Sequence, residues 1–209
     1  MAKKSQLEEQ ILQVAESLFL QKGFDSTTTT DIARMVGCNQ ALVHYYFRTK
    51  ENLFQQIFQK NFQKILEFLT IESIENQNFN TAICAFVDNY FDFLTKNKNL
   101  PFFFIKELLL NEERRQLLKD FILADGRYLK YYTTWDGIIK KEIAAGEIRE
   151  IDTMDLTLSV LSLMAFTFIS LPIYSDFFGQ DEAQIEQYIQ HRKAEIKNFI
   201  FESLKPKKK

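Results

Sequence analysis

The side chains best placed to do chemistry in this sequence stand close together, between Thr28 and Lys50. Asn39, Gln40, His44 and Tyr45 offer amides, an imidazole and a phenol, and Ala41 and Leu42 stand among them. Their chemistry is non-covalent: neither histidine sits with a nucleophile in a recognisable motif, and there is no glycine-rich phosphate loop. A glutamine can pair with adenine, so Gln40 is expected to meet that base. His44 is read as a phosphate contact rather than as a pH switch. Cys38, in the turn between the two short helices, is a lone thiol without a nearby cysteine to resolve an oxidised form, and Cys84 reads as a small core residue.

These groups need a scaffold, and the spacing supplies one. Ile32, Met35 and Val36 share one helical face, and Gly37 can take the positive φ that ends a helix. Thr28 is the expected cap of that helix, with Asp31 facing its positive end. Asn39 caps a second short helix, roughly Gln40 to Phe47, whose buried side is Val43 and Phe47. Helix, turn and helix then leave Asn39, Gln40, Ala41, Leu42, His44 and Tyr45 facing a DNA groove.

The order TTxxDIAxxxG, then NQALVHYYF, then KENLF, read from Thr27 to Phe54, resembles the N-terminal domain of TetR-family transcriptional regulators. The resemblance covers residues 5 to 60 closely, and the rest matches only in length and helical character. It implies groove and backbone contacts from the positions of Gln40 to Tyr46, and phosphate contacts from Thr28, Tyr46 and Lys50. Gln40 stands where many members have a basic residue, and Ala41 where many have glycine, which weakens the phosphate contact at Gln40. The resemblance also implies a ligand cavity bounded by the linking helix and the next four. Its expected walls are Phe62, Leu66, Phe86, Tyr90, Phe93, Phe103, Tyr128, Tyr131, Trp135, Met164 and Phe168. Tyr128, Tyr131 and Trp135 share a helical face that mixes polar tips with apolar rings.

Bulk properties narrow the class. Net charge is −2, and residues 1 to 60 hold seven basic residues against six acidic ones, so affinity for DNA cannot rest on bulk charge. It must come from placed contacts, including backbone N–H groups and helix N-termini. Six glycines and three prolines are too few for an all-β fold with many tight turns, so the fold class is all-α. The two cysteines and two histidines form no metal-binding spacing, and no cofactor is expected. The N-terminus lacks a secretory h-region, which places the protein in the cytoplasm.

The remaining chain reads as helices, about nine in all. Leu7, Ile11, Val14 and Leu18 stripe the first, which Gly23 ends. A linking helix runs from Glu51 to about Ser73. FFFIKELLL, residues 102 to 110, reads as buried; its Glu107 is either a polar anchor for a ligand or part of an exposed face. Glu113 to Ala145 reads as one helical region, kinked at Asp125-Gly126. Leu156 to Ser175 is free of charge over 20 residues. That is long enough for a membrane span, but its serines and threonines and the lack of a flanking basic cluster favour a helix buried inside a dimer. The last helix, about Glu182 to Leu204, precedes a basic tail, 205–209.

The expected organisation is therefore a helix-turn-helix domain at 1–50 and a helical ligand-binding and dimerisation domain at 51–204. The dimer contacts are assigned to Leu156, Val160, Leu163, Ile185, Tyr188, Ile189, Ile196, Phe199 and Ile200. The expected function is that of a homodimeric repressor on a near-palindromic DNA operator, released by a small, largely apolar or aromatic effector. A helical protein-interaction module that has lost DNA binding is the alternative, and an enzyme or a membrane protein is not expected.

Overall fold

The structure, a computed structural model, describes residues 2–68, 74 and 77–206, with side chains from Gln6 onward. Ten helices and no strand occur among the described residues. They are α1 (Ala2–Lys22), α2 (Thr29–Val36), α3 (Gln40–Phe47), α4 (Lys50–Phe68), α5 (Phe79–Lys96), α6 (Leu100–Leu110), α7 (Glu112–Asp125), α8 (Arg127–Ala145), α9 (Thr153–Phe178) and α10 (Glu182–Leu204). The end of the linking helix expected at 69–73, and the lysines at 207–209, lie outside the described residues.

Two compact units divide the chain, and the division is not at residue 50. Unit 1 is Met1–Ile65 with Phe102–Phe121, and unit 2 is Leu66–Pro101 with Ile122–Lys209. Aromatic packing accounts for the difference. Phe54 and Phe58 of α4 pack on Phe103 at 5.7 and 6.1 Å between ring centroids, and Phe62 meets Phe104 and Phe121 edge-on. The first helices bring Ile11, Ala15, Leu18 and Phe19 to the same unit's core, each at most 3% exposed.

The aromatic run on α6 is amphipathic rather than buried. Phe103 and Phe104 face inward, whereas Phe102, Ile105, Leu109 and Leu110 are exposed. Phe102, Ile105 and Leu109 fall on the side of the helix away from Phe103 and Phe104, so only one face can pack, and Leu110 ends the helix. Met35, expected on the inner face of α2, is also exposed.

In unit 2, Val87, Phe91 and Leu94 of α5 pack with Tyr131, Trp135 and Ile139 of α8 and with α9 and α10. The region expected as one kinked helix is two helices, because Gly126 takes a left-handed φ of 71° and breaks the hydrogen-bond ladder. In α9, 26 residues long, Pro172 lies inside the helix rather than at its end. This is a helix long and apolar enough to cross a membrane. Its Leu156, Val160, Met164, Phe168 and Leu171 nevertheless pack into the core of unit 2.

That packing corrects the expected dimer contacts. Leu156, Val160, Ile189, Ile196 and Ile200 are at most 4% exposed and are spent on the unit's own core. Leu163, Ile185 and Tyr188 are partly buried against it, and Tyr188 stacks on Tyr174 at 4.4 Å. Only Phe199, at 61%, is open among the nine. Besides Met154 and Phe178 near its ends, the large apolar residues that α9 leaves exposed are instead Leu158, Phe166, Ile173 and Phe177. They miss the core because they sit on the opposite face of a helix that is apolar all round, where sequence periodicity gives no sign of which side is inward.

The expected cavity walls are likewise redistributed. Phe62 and Phe103 belong to the core of unit 1, and Leu66, Met164 and Phe168 are closed off in unit 2 at 1%, 0% and 3% exposure. Phe86, Tyr90 and Phe93, four and three residues apart on α5, form a nearly parallel ladder with interplanar angles of 4° and 15°. Trp135 of α8 meets Phe86 edge-on at 6.3 Å. Burial raises the Tyr90 and Tyr131 hydroxyls to about 12, and raises Tyr128 as well.

Candidate nucleic-acid interface

The interface rests on a chain of caps, each dictated by a side chain at the right offset. Gly23 ends α1 with φ 83°, and its N–H donates to the Phe19 carbonyl at 2.9 Å. Thr28 then begins α2 as one half of a capping box: its hydroxyl accepts from the Asp31 N–H at 3.1 Å and donates to the Asp31 carboxylate at 2.7 Å. That bond, foremost, holds the Asp31 carboxyl below its ordinary value. Gly37 closes α2 in the left-handed region, and the Asn39 amide oxygen accepts from the Ala41 N–H at 2.9 Å to start α3. Val43 and Phe47 face inward at 1% and 2% exposure, as their spacing requires.

The polar groups expected to meet DNA are largely engaged within the protein. The Gln40 amide nitrogen donates to the Thr29 hydroxyl at 2.9 Å and lies 3.4 Å from His44 Nε2. On its other side, His44 Nδ1 is 3.1 Å from the Arg48 carbonyl, which suits a proton on Nδ1. Adenine pairing needs the same amide nitrogen that Gln40 spends on Thr29 and His44. Lys50 also faces inward: its ammonium donates to the carbonyls of Phe24 and Thr27 at 3.0 and 3.1 Å and sits 3.9 Å over the Phe24 ring. Its geometry is that of a brace for the α1–α2 turn rather than of a free phosphate ligand, because the turn offers two carbonyls that no helix satisfies.

What α3 presents outward is mixed, with Gln40 and His44 exposed beside less polar side chains. Ala41 is exposed, Leu42 is 37% exposed, and Tyr45, edge-on to Tyr46 at 5.3 Å, is 62% exposed. Past the end of α3, Tyr46 and Arg48 edge a polar groove of ≈ 330 Å³ that continues along Asn52, Gln55, Gln56 and Gln59 of α4. Arg48 was not expected there; it is exposed and is the non-glycine residue with a left-handed φ, 62°. Its place between the two expected helices was the available signal, a cation on the turn that leaves the recognition helix.

Beneath this surface lies a buried charge. The Arg114 guanidinium, 2% exposed, makes two hydrogen bonds to the Glu51 carboxylate and stacks 4.0 Å from the Phe54 ring and 4.8 Å from the Phe24 ring. Glu107, 7% exposed, accepts from the Phe24 N–H at 3.3 Å, with its other oxygen 3.7 Å from Arg114 Nε. Glu107 is therefore neither a ligand anchor nor part of an exposed face. It ties α6 to the turn that Lys50 braces from α4.

A three-helix unit with a capped helix-turn-helix and an open recognition helix, followed by a larger helical unit, defines a helix-turn-helix transcriptional regulator. The chain matches the bacterial regulatory proteins of the tetR family over residues 11–57. It is similar over most of its length to the HTH-type transcriptional regulator YfiR of Bacillus subtilis, 24% identical over 94% of this chain and 93% of the relative. Among solved structures, the regulator FadR from Bacillus subtilis in complex with stearoyl-CoA has the same fold, with a TM-score of 0.66 and 18% identity over 94% of this chain and 98% of that one. So does a regulator from Saccharomonospora viridis in complex with choline, with a TM-score of 0.67 and 19% identity over 96% and 98%.

Proposed function

We propose that this regulator is a cytoplasmic homodimeric repressor, which an apolar or aromatic effector entering unit 2 releases from a near-palindromic operator. The observation that carries the dimer is the exposed apolar ridge of α9, Leu158, Phe166, Ile173 and Phe177, with Phe199 on α10. Ridges of this kind mark protein contacts, and two-fold pairing gives each head its own half-site. Heads one DNA turn apart, about 34–36 Å, then enter successive major grooves. The aromatic ladder of α5 beside Trp135 supports an effector site in unit 2. Solved proteins of the same fold hold stearoyl-CoA and choline, so this architecture accommodates effectors. An effector that binds better to the dimer with mis-spaced heads weakens DNA binding by their coupling, typically about 1–3 kcal/mol.

The test is sedimentation of the full chain combined with binding to duplexes selected from a random pool. The wild type is expected as a dimer that retains two-fold-related sequences, and Phe166→Glu, on the open ridge, as a monomer with lost affinity. Selected binding by a monomeric wild type, unchanged in Phe166→Glu, would refute the dimer. No retained sequence even at low salt would refute DNA recognition itself. Trp135, the single tryptophan, reports the effector site: its emission is expected to change with long-chain acyl-CoA or quaternary ammonium compounds that also release DNA.

A further inference from the structure

We infer that the recognition helix reads thymine methyl groups, with Leu42 as the residue that discriminates them; this deepens the DNA-binding reading and rests on it. Two separate observations lead there. The first is the internal engagement of the helix's polar groups. The Gln40 amide nitrogen has two N–H bonds, one aimed at the Thr29 hydroxyl and one at His44 Nε2, and the Asn39 oxygen is spent on the α3 cap. His44 bridges back to the Arg48 carbonyl. Reading a base edge through Gln40 or His44 would require breaking bonds that hold α3 to α2 and to the turn after it, and each broken bond must be repaid.

The second observation is what the same helix leaves open. Ala41 and Leu42 lie in the first turn after the Asn39 cap, at the N-terminal end that enters a major groove, and Leu42 stays 37% exposed although Val43 beside it is buried. A branched apolar side chain at a groove-facing position gains nothing from base carbonyls or amino groups. In the major groove the apolar feature of a base pair is the C5-methyl of thymine, which suits contact with apolar side chains. The near-neutral balance of the first 60 residues fits the same picture, in which shape and methyl contacts carry discrimination while few phosphates are neutralised.

Operators selected with the full chain should therefore carry thymine at fixed half-site positions, and the methyl rather than the base pairing should matter. The experiment replaces each thymidine of the selected duplex by deoxyuridine, which removes only the methyl, and measures affinity by fluorescence anisotropy. Losing one buried methyl is expected to weaken binding about fourfold at one or more positions. Leu42→Ala should erase that ratio at one of them while keeping the melting temperature of the wild type. Equal affinity for every deoxyuridine duplex overturns the inference, and so does a Leu42→Ala variant in which every ratio survives. Failure to select any sequence strikes the DNA-binding reading instead, so the two failures are distinguishable.

Discussion

In unit 1 the Arg114 guanidinium is buried between the rings of Phe24 and Phe54, whereas the lysines that join α5 to α10 in unit 2 stay near the surface. Lys197 meets Asp88 at 2.5 Å and Lys193 meets Asp92 at 2.9 Å, with both aspartates at least 40% exposed. The interior of unit 2 is instead made of Phe91, Trp135, Met164, Phe168 and their apolar neighbours. Buried charge is a poor source of stability but a strict source of geometry, since it tolerates few arrangements of its partners. Apolar packing stabilises without prescribing angles and accepts volume-conserving change. A helix that must enter a groove at a fixed angle gains from the first kind of core. A unit that must admit effectors of differing shape gains from the second.

The largest effects should come from breaking each core in its own way. Arg114→Ala leaves Glu107 buried without its cationic neighbour and should cost about 3–5 kcal/mol. Phe91→Ala, fully buried in unit 2, should cost a similar amount, about 3–5 kcal/mol, through the cavity it leaves. The two differ in rescue. Combining Arg114→Met with Glu107→Gln removes the two buried charges and leaves only the more exposed Glu51, so it should recover much of the loss in denaturant titrations, while its affinity for a selected operator stays low. Full recovery of both stability and DNA affinity would mean that the buried charge fixes no geometry.

A pH titration separates the units next. Burial raises Tyr90 and Tyr131, both in unit 2, to about 12 from an ordinary 10.0. A raised folded value means that the neutral hydroxyl is favoured in the fold, so this contribution is complete below pH 10.0 and is lost as pH rises through about 12. In unit 1, burial pushes the Glu16 carboxyl up, but hydrogen bonds from Lys60 and Lys64 outweigh it and hold the group below its ordinary 4.5. Its contribution is present at neutral pH and is lost in acid, as pH falls through the lowered value. Trp135 emission should thus change in alkali together with tyrosinate absorbance, and Tyr90→Phe with Tyr131→Phe should move that change to higher pH. Complete tyrosine ionisation near 10.0 with Trp135 undisturbed would contradict it.

The same contrast explains what could be read from the residues. The first 50 residues announce their fold because caps act over three positions: Thr28 with Asp31, Asn39 with Ala41, and Gly37 with its positive φ are local chemistry. Their buried side, Val43 and Phe47, follows from helical spacing. The grouping of α6 and the start of α7 with unit 1 was not legible, because it depends on Glu107 and Arg114 meeting residues more than 60 positions away. In α9 apolar residues fall on every side of the helix, so the pattern could not say that Leu156 turns inward and Leu158 outward. Nor could sequence show that Gln40 and Lys50, typical DNA ligands by type, would bond to Thr29 and to the Phe24 and Thr27 carbonyls.

The smallest effects sharpen the comparison because stability and function should part company. Thr28→Ala removes the α2 cap and should cost about 1 kcal/mol. Lys197→Met breaks an ion pair whose lysine is 25% and aspartate 40% exposed, and should cost between 0 and about 1 kcal/mol. The two variants are thus close in melting temperature. Their DNA affinities should not be, because Thr28 fixes the start of the helix whose Thr29 holds Gln40, and through it the angle of α3. Lys197 bonds to Asp88 of α5, away from that chain of contacts. A several-fold affinity loss confined to Thr28→Ala ties groove entry to the polar order of unit 1, whereas equal losses in both variants would show that affinity merely follows overall stability.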